Sequence, residues 1–373
     1  MPRIAVLALD YDDCLVRKFY KNHAKNKDKP RKNDFDSVDF NDVVNEHNPP
    51  LNKTKWKKCL LTENDPLIHY VGNIAPYYDK IVLCIGSNRQ NPYIDTTNSC
   101  KEKIYSGSAY EGLELFKQKL EEELGVEIEL NSTTTADYFH GRQEGETFQR
   151  TLAWLREEEK PSEDLFKDCP NDRTKVSLHY RLMHLFASKY PEAEIDYYAV
   201  DDGYQGKLQL PNPGIIDALN YFYTKFSDLI PRKTTLFTVP YKEGQLDTKL
   251  IHKMRGEGGI DLDYEETMKT MMVNSLAGKN QKKKNEELFQ HNSCDTWQAP
   301  FIEEFIAKHQ ASYNSGFWGG FFNKTNLKAY DSLTVDDIYY HAQKTTFFGF
   351  KNRTRLILEE MNMIDENEVF PSR

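Results

Sequence analysis

The stretch ALDYDDCL, residues 8–15, decides the fold of this 373-residue chain. An apolar segment, Ile4–Leu9, ends directly at two aspartates separated by one residue, Asp10 and Asp12. Apolar residues over this length, bounded by polar ones, predict a buried strand of a parallel sheet. Carboxylates just past such a strand lie at the carboxyl edge of the sheet, where open α/β folds bind ligands. We expect them to share a cation or to divide nucleophilic and acid-base work, and a turn or helix cap is the alternative.

Length, composition and charge limit the function classes to consider. The chain is long enough for two domains, and its 39% hydrophobic and 13% aromatic content suffices for a sizeable core. A net charge of -9 argues against general nucleic-acid binding. No apolar run approaches the roughly 18 residues of a membrane span. We expect no cleavable signal peptide, because the predicted first strand begins at Ile4. The six cysteines form no CxxC pair, which predicts reduced thiols and a cytoplasmic location.

Predicted strands and helices alternate along the first two thirds of the chain. Further buried strands are expected at Lys80–Ile85, Val126–Leu130, Ile195–Val200 and Thr234–Val239. Helices are expected at Asp65–Tyr77, within Gly107–Gly125, and at Thr147–Glu158, Val176–Lys189 and Gly214–Phe226. This alternation favours an α/β fold with a doubly wound parallel sheet and helices on both faces.

The chain beyond Tyr241 has a different, mainly helical character. Helical segments are expected near Leu246–Met254, Tyr264–Leu276, Ala299–Ala311, Val335–Ala342 and Asn352–Met361. We place a domain boundary near Lys242–Gln245, which divides the chain into residues 1–241 and 242–373. The Lys-rich run Lys279–Lys284 predicts a solvated linker or loop. The aromatic run Phe317–Phe322 predicts burial in the second domain's core, with a membrane-surface or partner patch as the alternative.

Polar side chains with complementary chemistry follow the predicted strand ends or begin a helix. In a doubly wound sheet such positions converge on one crevice, although they are far apart in sequence. Acids can hold a hard cation such as Mg²⁺ through oxygen ligands. A lysine and a hydroxyl can bind phosphate oxygens while a carboxylate attacks phosphorus to form an acyl phosphate. The set consists of Asp10, Asp12, Ser87, Lys175, Asp201 and Asp202.

This ordered set resembles the haloacid dehalogenase (HAD) superfamily of phosphatases over roughly residues 1–241. The sequence DYDDCL at residues 10–15 is similar to the family's first motif, DxDx(T/V)(L/V), with Cys14 where Thr or Val is usual. Ser87 fits the second motif and Lys175 the third, with Lys167 and Lys189 as rivals for the third. Val200-Asp201-Asp202 fits the fourth motif. The resemblance implies a Rossmannoid sheet with cap or rim insertions after the first and second strands.

The resemblance also implies a role for each motif residue. Asp10 would be the nucleophile and Asp12 the general acid and base. Mg²⁺ would be bound by Asp10, the main-chain carbonyl of Asp12 and Asp201, while Asp202 orients the metal shell or its water. Ser87 and Lys175 would contact the transferring phosphoryl group.

Two residues that follow Ser87 are candidate substrate contacts. Asn88 and Arg89 are expected to bind phosphate or substrate, because arginine suits bidentate recognition of oxyanions. A surface salt bridge is the alternative for Arg89. The basic run Arg17–Lys32 is expected to attract a phosphorylated protein or an anionic lipid headgroup, or else to be a solvated loop.

The chain further resembles HAD-type phosphatases among the effectors that intracellular bacteria inject through type IV secretion. The likeness rests on GSNRQ at residues 86–90, on Asp172–His184 leading to Asp201-Asp202, and on the helical C-terminal region. It implies a phosphotyrosine phosphatase acting on a host phosphoprotein after translocation. The acidic tail, with Glu359-Glu360, Glu366 and Glu368, resembles a C-terminal export signal, and a role in solubility alone is the alternative. A phosphatase of small metabolites, a phosphotransferase and an inactive module that binds a phosphorylated ligand remain alternatives.

Overall fold

The computed structural model describes residues 1–16, 19–20, 50–101, 104–105, 107–160, 162–206, 208, 210, 212–242, 244–275, 293–314, 333–343, 352–361 and 363–364. Most of the basic run, the Lys-rich run, the aromatic run Phe317–Phe322 and the acidic residues Glu366 and Glu368 lie outside these residues. The chain forms two compact units. The first comprises Met1–Pro170, Leu178–Asp202 and Phe226–Glu265, and the second comprises Asn171–Ser177, Gly203–Lys225 and Glu266–Arg373.

One mostly parallel sheet forms the centre of the first unit. Its parallel strands are β1 (Arg3–Leu9), β2 (Lys80–Ile85), β3 (Ile128–Leu130), β4 (Glu194–Asp201) and β5 (Thr234–Lys242). Their spatial order is β3-β2-β1-β4-β5. Two short strands, β6 (Gln245–Leu246) and β7 (His252–Arg255), pair antiparallel with β5.

The strand order creates a reversal of chain direction across the sheet. From β1 the chain proceeds outward to β2 and β3, and then returns to the other side of β1 for β4 and β5. The gap between the connections that leave β1 and β4 is a topological switch point, where open α/β sheets bind ligands. All five predicted strands are confirmed. Every residue of β1 after Arg3 is buried, as expected for a strand covered on both faces.

The described helices separate or follow these strands. They are α1 (Pro50–Thr62), α2 (Asp65–Ile74), α3 (Pro92–Ser99), α4 (Ala109–Leu124), α5 (Thr135–Phe139), α6 (Glu146–Leu155), α7 (Val176–Lys189), α8 (Ile215–Lys225), α9 (Tyr264–Ser275), α10 (Gln298–Asn314), α11 (Val335–Ala342) and α12 (Arg353–Glu360). None of them combines the length and apolar character that a membrane span requires, as far as the described residues extend.

Helices cover both faces of the sheet in the first unit. Leu7 and Leu9 of β1 share a core with apolar residues of α2, α4 and α6, including Phe116. Each fully buried leucine or phenylalanine in such a core contributes roughly 1.5–3 kcal/mol. On the opposite face, the His179 ring of α7 lies against Tyr197 of β4, with Nδ1 2.8 Å from the tyrosine hydroxyl oxygen. The predicted α/β class with a parallel sheet is therefore confirmed.

Short elements complete the described chain. The 3₁₀ helices are Ala75–Tyr77, Asn88–Gln90, Glu163–Phe166, Ser227–Leu229 and Thr248–Leu250. Phe19–Tyr20, Ile104–Tyr105 and Cys100–Lys101 form a small antiparallel sheet. In the second unit, Asn171–Asp172 pairs in parallel with Ser293–Cys294.

The expected helix at Leu246–Met254 is wrong. Apolar residues recur there at every fourth position, but the segment instead contains β6, a 3₁₀ turn and β7. Pairing with the open edge of β5 satisfies the backbone groups of these strands, a long-range gain that local spacing does not reveal. The boundary predicted near Lys242–Gln245 also differs from the compact units, because both strands beyond it join the sheet. The other four predicted C-terminal helices are present as α9 to α12.

Candidate active site

The register between the two central strands aligns two aspartates at the carboxyl edge of the sheet. Leu9 of β1 pairs with Val200 of β4, so Asp10 and Asp201 follow at the same level. The Asp10 N–H donates to the Val200 carbonyl oxygen at 2.9 Å, which extends the ladder by one residue. Because side chains alternate between the two faces of a sheet, this register directs both aspartates to the same face.

Asp202 completes a cluster of three carboxylates at the switch point. One carboxylate oxygen from each of Asp10, Asp201 and Asp202 lies within 4.8 Å of the other two. Asp10 and Asp201 are 4% and 1% exposed, whereas Asp202 is half-buried. At this separation and an effective dielectric constant of about 20, two unit charges repel by roughly 3.5 kcal/mol. A bound cation would relieve this repulsion.

The donor set of the cluster fits the magnesium ion expected from the sequence. Carboxylate oxygens are the ligands that Mg²⁺ and other hard cations prefer, and Mg²⁺ completes its shell with water or substrate oxygens. The Asp12 carboxylate is not part of the group of three. The ligand expected at Asp12 is its main-chain carbonyl oxygen, and that contact stays a prediction.

A glycine holds the end of β2 against the end of β1. The Gly86 N–H donates to the Leu9 carbonyl oxygen at 2.8 Å. A Cβ at Gly86 would lie 2.7 Å from the Ala8 carbonyl carbon and 2.8 Å from its oxygen, which are backbone atoms without room to move. The next residue, Ser87, is 4% exposed and caps the short helix Asn88–Gln90. Ser87 thus follows the strand beside β1, and its contact with a phosphoryl group stays a prediction.

The segment after β1 is a tight turn that carries Asp12. The Val16 N–H donates to the Tyr11 carbonyl oxygen at 3.0 Å, and the Asp13 N–H donates to the Val16 carbonyl oxygen at 2.9 Å. Asp13 has a φ of 58°, a left-handed backbone conformation that residues other than glycine adopt rarely. Strained backbone of this kind clusters at functional sites. The Cys14 thiol is buried, with Sγ 3.9 Å from the Val200 carbonyl oxygen, so this side chain packs inside the fold.

The carboxylate of Asp12 is bound by Arg89. Nε of Arg89 donates to Oδ2 of Asp12 at 2.7 Å, and Nη2 donates to Oδ1 at 2.5 Å. The side chain of Arg89 is 2% exposed. Arg89 therefore forms a salt bridge, as the alternative expected, but not at the surface. Because the guanidinium is directed at groups of the protein, we assign Arg89 to holding Asp12. A substrate contact of Arg89 stays a prediction that this geometry does not favour.

A second carboxylate binds the other side of the same guanidinium. Nη1 of Arg89 donates to the Gly107 carbonyl oxygen at 2.8 Å and to Oδ1 of Asp95 at 3.3 Å. Asp95 also accepts from the Ser108 hydroxyl at 2.5 Å and from the Ala109 N–H at 2.9 Å. Burial raises the pKa of the Asp95 carboxyl, although these donors oppose that shift. Burial lowers the pKa of Arg89, but the nearby carboxylates outweigh it and raise this pKa above its usual value.

Aromatic side chains enclose the ion pair. The guanidinium of Arg89 lies 4.9 Å from the centre of the Tyr11 ring, a cation–π contact. Nε1 of Trp56 donates to the Tyr11 hydroxyl oxygen at 2.6 Å. Burial raises the pKa of this hydroxyl well above its usual value, so Tyr11 stays neutral. Sequence reasoning missed Trp56, Tyr11 and Asp95, because their pairing spans distant segments and belongs to no motif.

Lys175 lies on a turn that Asp172 organises in the second unit. The Asp172 carboxylate accepts from the N–H and the hydroxyl of Thr174 and of Ser177, at 2.8 to 3.0 Å. Lys175 has a φ of 59° and is 4% exposed, so it is a buried lysine and not a surface charge. The helix that follows begins at Val176, as predicted.

The rival lysines differ from Lys175 in their surroundings. Lys167 is exposed, and Lys189 is 45% exposed and ion-paired with Glu129 at 2.7 Å. Burial therefore favours Lys175 among the three. Since Lys175 belongs to the second unit and Asp10 to the first, its contact with a phosphoryl group stays a prediction. The role of half-buried Asn88 in binding substrate also stays a prediction.

The structure brings together three predicted site residues and places two more close to them in the fold. Asp10, Asp201 and Asp202 form one cluster, Asp12 lies on the turn after β1, and Ser87 follows the neighbouring strand. No model of a protein family, no curated protein and no solved structure matches this chain. The functional argument therefore depends on the site itself.

Proposed function

We propose that this chain is a magnesium-dependent phosphomonoesterase that forms a covalent phosphoryl intermediate on Asp10. The observation that carries the proposal is the cluster of Asp10, Asp201 and Asp202 at the topological switch point of a parallel sheet. Ligands of open α/β sheets bind at that point, and buried carboxylates there need a compensating cation. The order of motif residues, which resembles that of HAD phosphatases, supports the same chemistry.

Each described residue has a defined part in the proposed reaction. Asp10, Asp201 and Asp202 would hold Mg²⁺, which supplies positive charge next to the phosphoryl oxygens. A carboxylate oxygen of Asp10 attacks phosphorus, and the bond from phosphorus to the ester oxygen breaks. Asp12 gives a proton to the departing oxygen, so that an alcohol leaves. Asp12 then takes a proton from water, whose oxygen attacks phosphorus and displaces Asp10 as inorganic phosphate forms.

Two further groups would stabilise the charge on the phosphoryl group. The hydroxyl of Ser87 would donate a hydrogen bond to a phosphoryl oxygen, and its burial would strengthen that bond relative to water. The resemblance assigns Lys175 to offsetting the negative charge of the phosphoryl group.

The proposed substrate is a phosphorylated host protein, with phosphotyrosine as the preferred residue. This part of the proposal rests on the resemblance to type IV secreted effectors, together with the basic run Arg17–Lys32. A phosphatase of this kind would act in the host cytoplasm after translocation from a bacterium.

The test is turnover of phosphotyrosine peptides, phosphoserine peptides and an aryl phosphate, in magnesium or in EDTA. We expect magnesium-dependent release of phosphate by the wild-type chain, and its loss in Asp10→Asn. Asp137→Asn is the matched control, because Asp137 is equally buried but belongs to the capping box of α5 and not to the cluster. Turnover of small phosphates alone would favour a metabolite enzyme. Binding of phosphopeptides without hydrolysis would contradict the enzymatic proposal and favour a binding module.

A further inference from the structure

Arg89 presents two sides of its guanidinium to two different carboxylates. The side formed by Nε and Nη2 makes both of its bonds to Asp12, at 2.7 and 2.5 Å. Nη1 bonds to Asp95 at 3.3 Å and to the Gly107 carbonyl oxygen at 2.8 Å. Asp95 is itself fixed by a hydroxyl and a backbone N–H at the start of α4. Asp12 is therefore connected through Arg89 to the N-terminus of a core helix.

Burial makes this arrangement specific for arginine. The side chains of Arg89 and Asp95 are 2% and 1% exposed, and a charge buried so deeply must be paired. A planar guanidinium can form two parallel bonds to one carboxylate while a third nitrogen reaches another. A lysine ammonium is a point charge on a flexible chain and cannot fix the orientation of a carboxylate in the same way.

The bonds from Arg89 fix the direction of the Asp12 carboxylate. Asp12 is 27% exposed and lies on a turn, so its own burial does not restrict it to one rotamer. Each carboxylate oxygen has two lone-pair sites, and Arg89 uses one on each oxygen. Arg89 thus fixes the orientation of the Asp12 carboxylate.

We infer that Arg89 is a positioning residue that aims Asp12 at the leaving group and the attacking water, and that Asp95 holds Arg89 in place. The catalytic part of this inference rests on the proposed function, whereas the contacts of Arg89 with Asp12 and Asp95 are seen in the structure. Asp12 supplies the proton, and Arg89 acts only through Asp12. The first motif alone therefore does not determine how well the acid works.

Leaving-group dependence separates positioning from general damage to the fold. Proton donation matters for phenyl phosphate, whose leaving group is a weak acid, and much less for 4-nitrophenyl phosphate. We expect Arg89→Gln to lower kcat/KM roughly tenfold or more for phenyl phosphate, with a clearly smaller loss for 4-nitrophenyl phosphate. We expect Arg89→Lys to lower kcat/KM nearly as much as Arg89→Gln does, because lysine lacks the forked guanidinium. Equal losses on both substrates would overturn the inference.

A double-mutant cycle tests whether Arg89 acts through Asp12. In an Asp12→Asn background, Arg89→Gln should cause little further loss of kcat/KM, because the positioned acid is already gone. A full additional loss would overturn the inference. Arg181→Gln is the matched control: Arg181 is fully buried and paired with Glu265 at 2.9 Å, but it lies on α7 outside this network. It should destabilise the fold without changing the leaving-group dependence.

A stability measurement, which needs no turnover, tests the inference separately from the proposed function. The unfolding midpoints of wild type, Arg89→Gln, Asp12→Asn and the double variant report the coupling between the two side chains. Non-additive midpoints support the contact even if no substrate is hydrolysed, in which case only the proposed function fails. Additive midpoints would overturn the inference whatever the activity.

Discussion

The repulsion within the aspartate cluster makes a sharp prediction about stability in EDTA and in magnesium. The perturbation is Asp202→Asn, which removes one of three charges whose oxygens lie within 4.8 Å of one another. Each pair contributes roughly 3.5 kcal/mol of repulsion at an effective dielectric constant of about 20, and the substitution removes two of three pairs. Exposure of Asp202 and neighbouring groups reduce this figure, so we expect a net stabilisation of about 1–3 kcal/mol in EDTA.

Magnesium should offset that difference in stability. At a concentration one hundred times its dissociation constant, a ligand that binds only the folded state stabilises it by about 2.7 kcal/mol. Wild type should gain this stabilisation, and Asp202→Asn should gain much less because it has lost a ligand. Thermal unfolding in EDTA and across a magnesium titration measures both effects, with Asp137→Asn as the control. The reasoning is refuted if wild type does not respond to magnesium and Asp202→Asn is less stable than wild type in EDTA.

Three further predictions concern separate parts of the fold. Gly86→Ala should destabilise the chain by about 1–3 kcal/mol and displace Ser87, because the added Cβ would meet the Ala8 backbone. Denaturant unfolding and turnover measure these effects, and unchanged stability and turnover would contradict the prediction. Burial raises the pKa of the Asp217 carboxyl to about 6, so the folded state holds an extra proton and stability should fall by about 1–2 kcal/mol as pH rises from about 4 to 6. Asp217→Asn should abolish that slope in urea unfolding, and a slope that persists would point to another group. The five cysteines whose side chains are described are buried, so their thiols should resist alkylation until the chain unfolds; rapid labelling of the native chain would refute this.

The sheet could be predicted from sequence because its parallel strands carry continuous apolar runs. The segment Lys80–Ile85 is recognisable as a strand because its buried residues show no polar alternation. Thr234–Val239 is recognisable because it is rich in β-branched and aromatic residues. The carboxylates that end β1 and β4 could be expected at one edge for the same reason. The edge strands β6 and β7 could not be predicted, because they carry no such run and form only where β5 offers an open edge.

The support around Asp12 could not be predicted either. The sequence indicates Asp12 and Arg89 as separate candidates, but their pairing depends on how the turn after β1 faces the helix Asn88–Gln90. The role of Asp95 depends on the start of α4, and only the fold brings these segments together. The chemistry of an arginine next to Ser87 predicts a substrate contact, whereas the burial of Arg89 can be known only from the tertiary structure.

The most direct test of the proposed chemistry is to locate the phosphoryl group on the enzyme. Asp12→Asn should slow hydrolysis of the intermediate, so rapid acid quenching of this variant with an aryl phosphate and magnesium should trap it. Peptide mass spectrometry should then find the phosphoryl group on Asp10, and Asp10→Asn should carry none. A phosphoryl group on another residue, or its absence from a variant that still turns over substrate, would contradict the account.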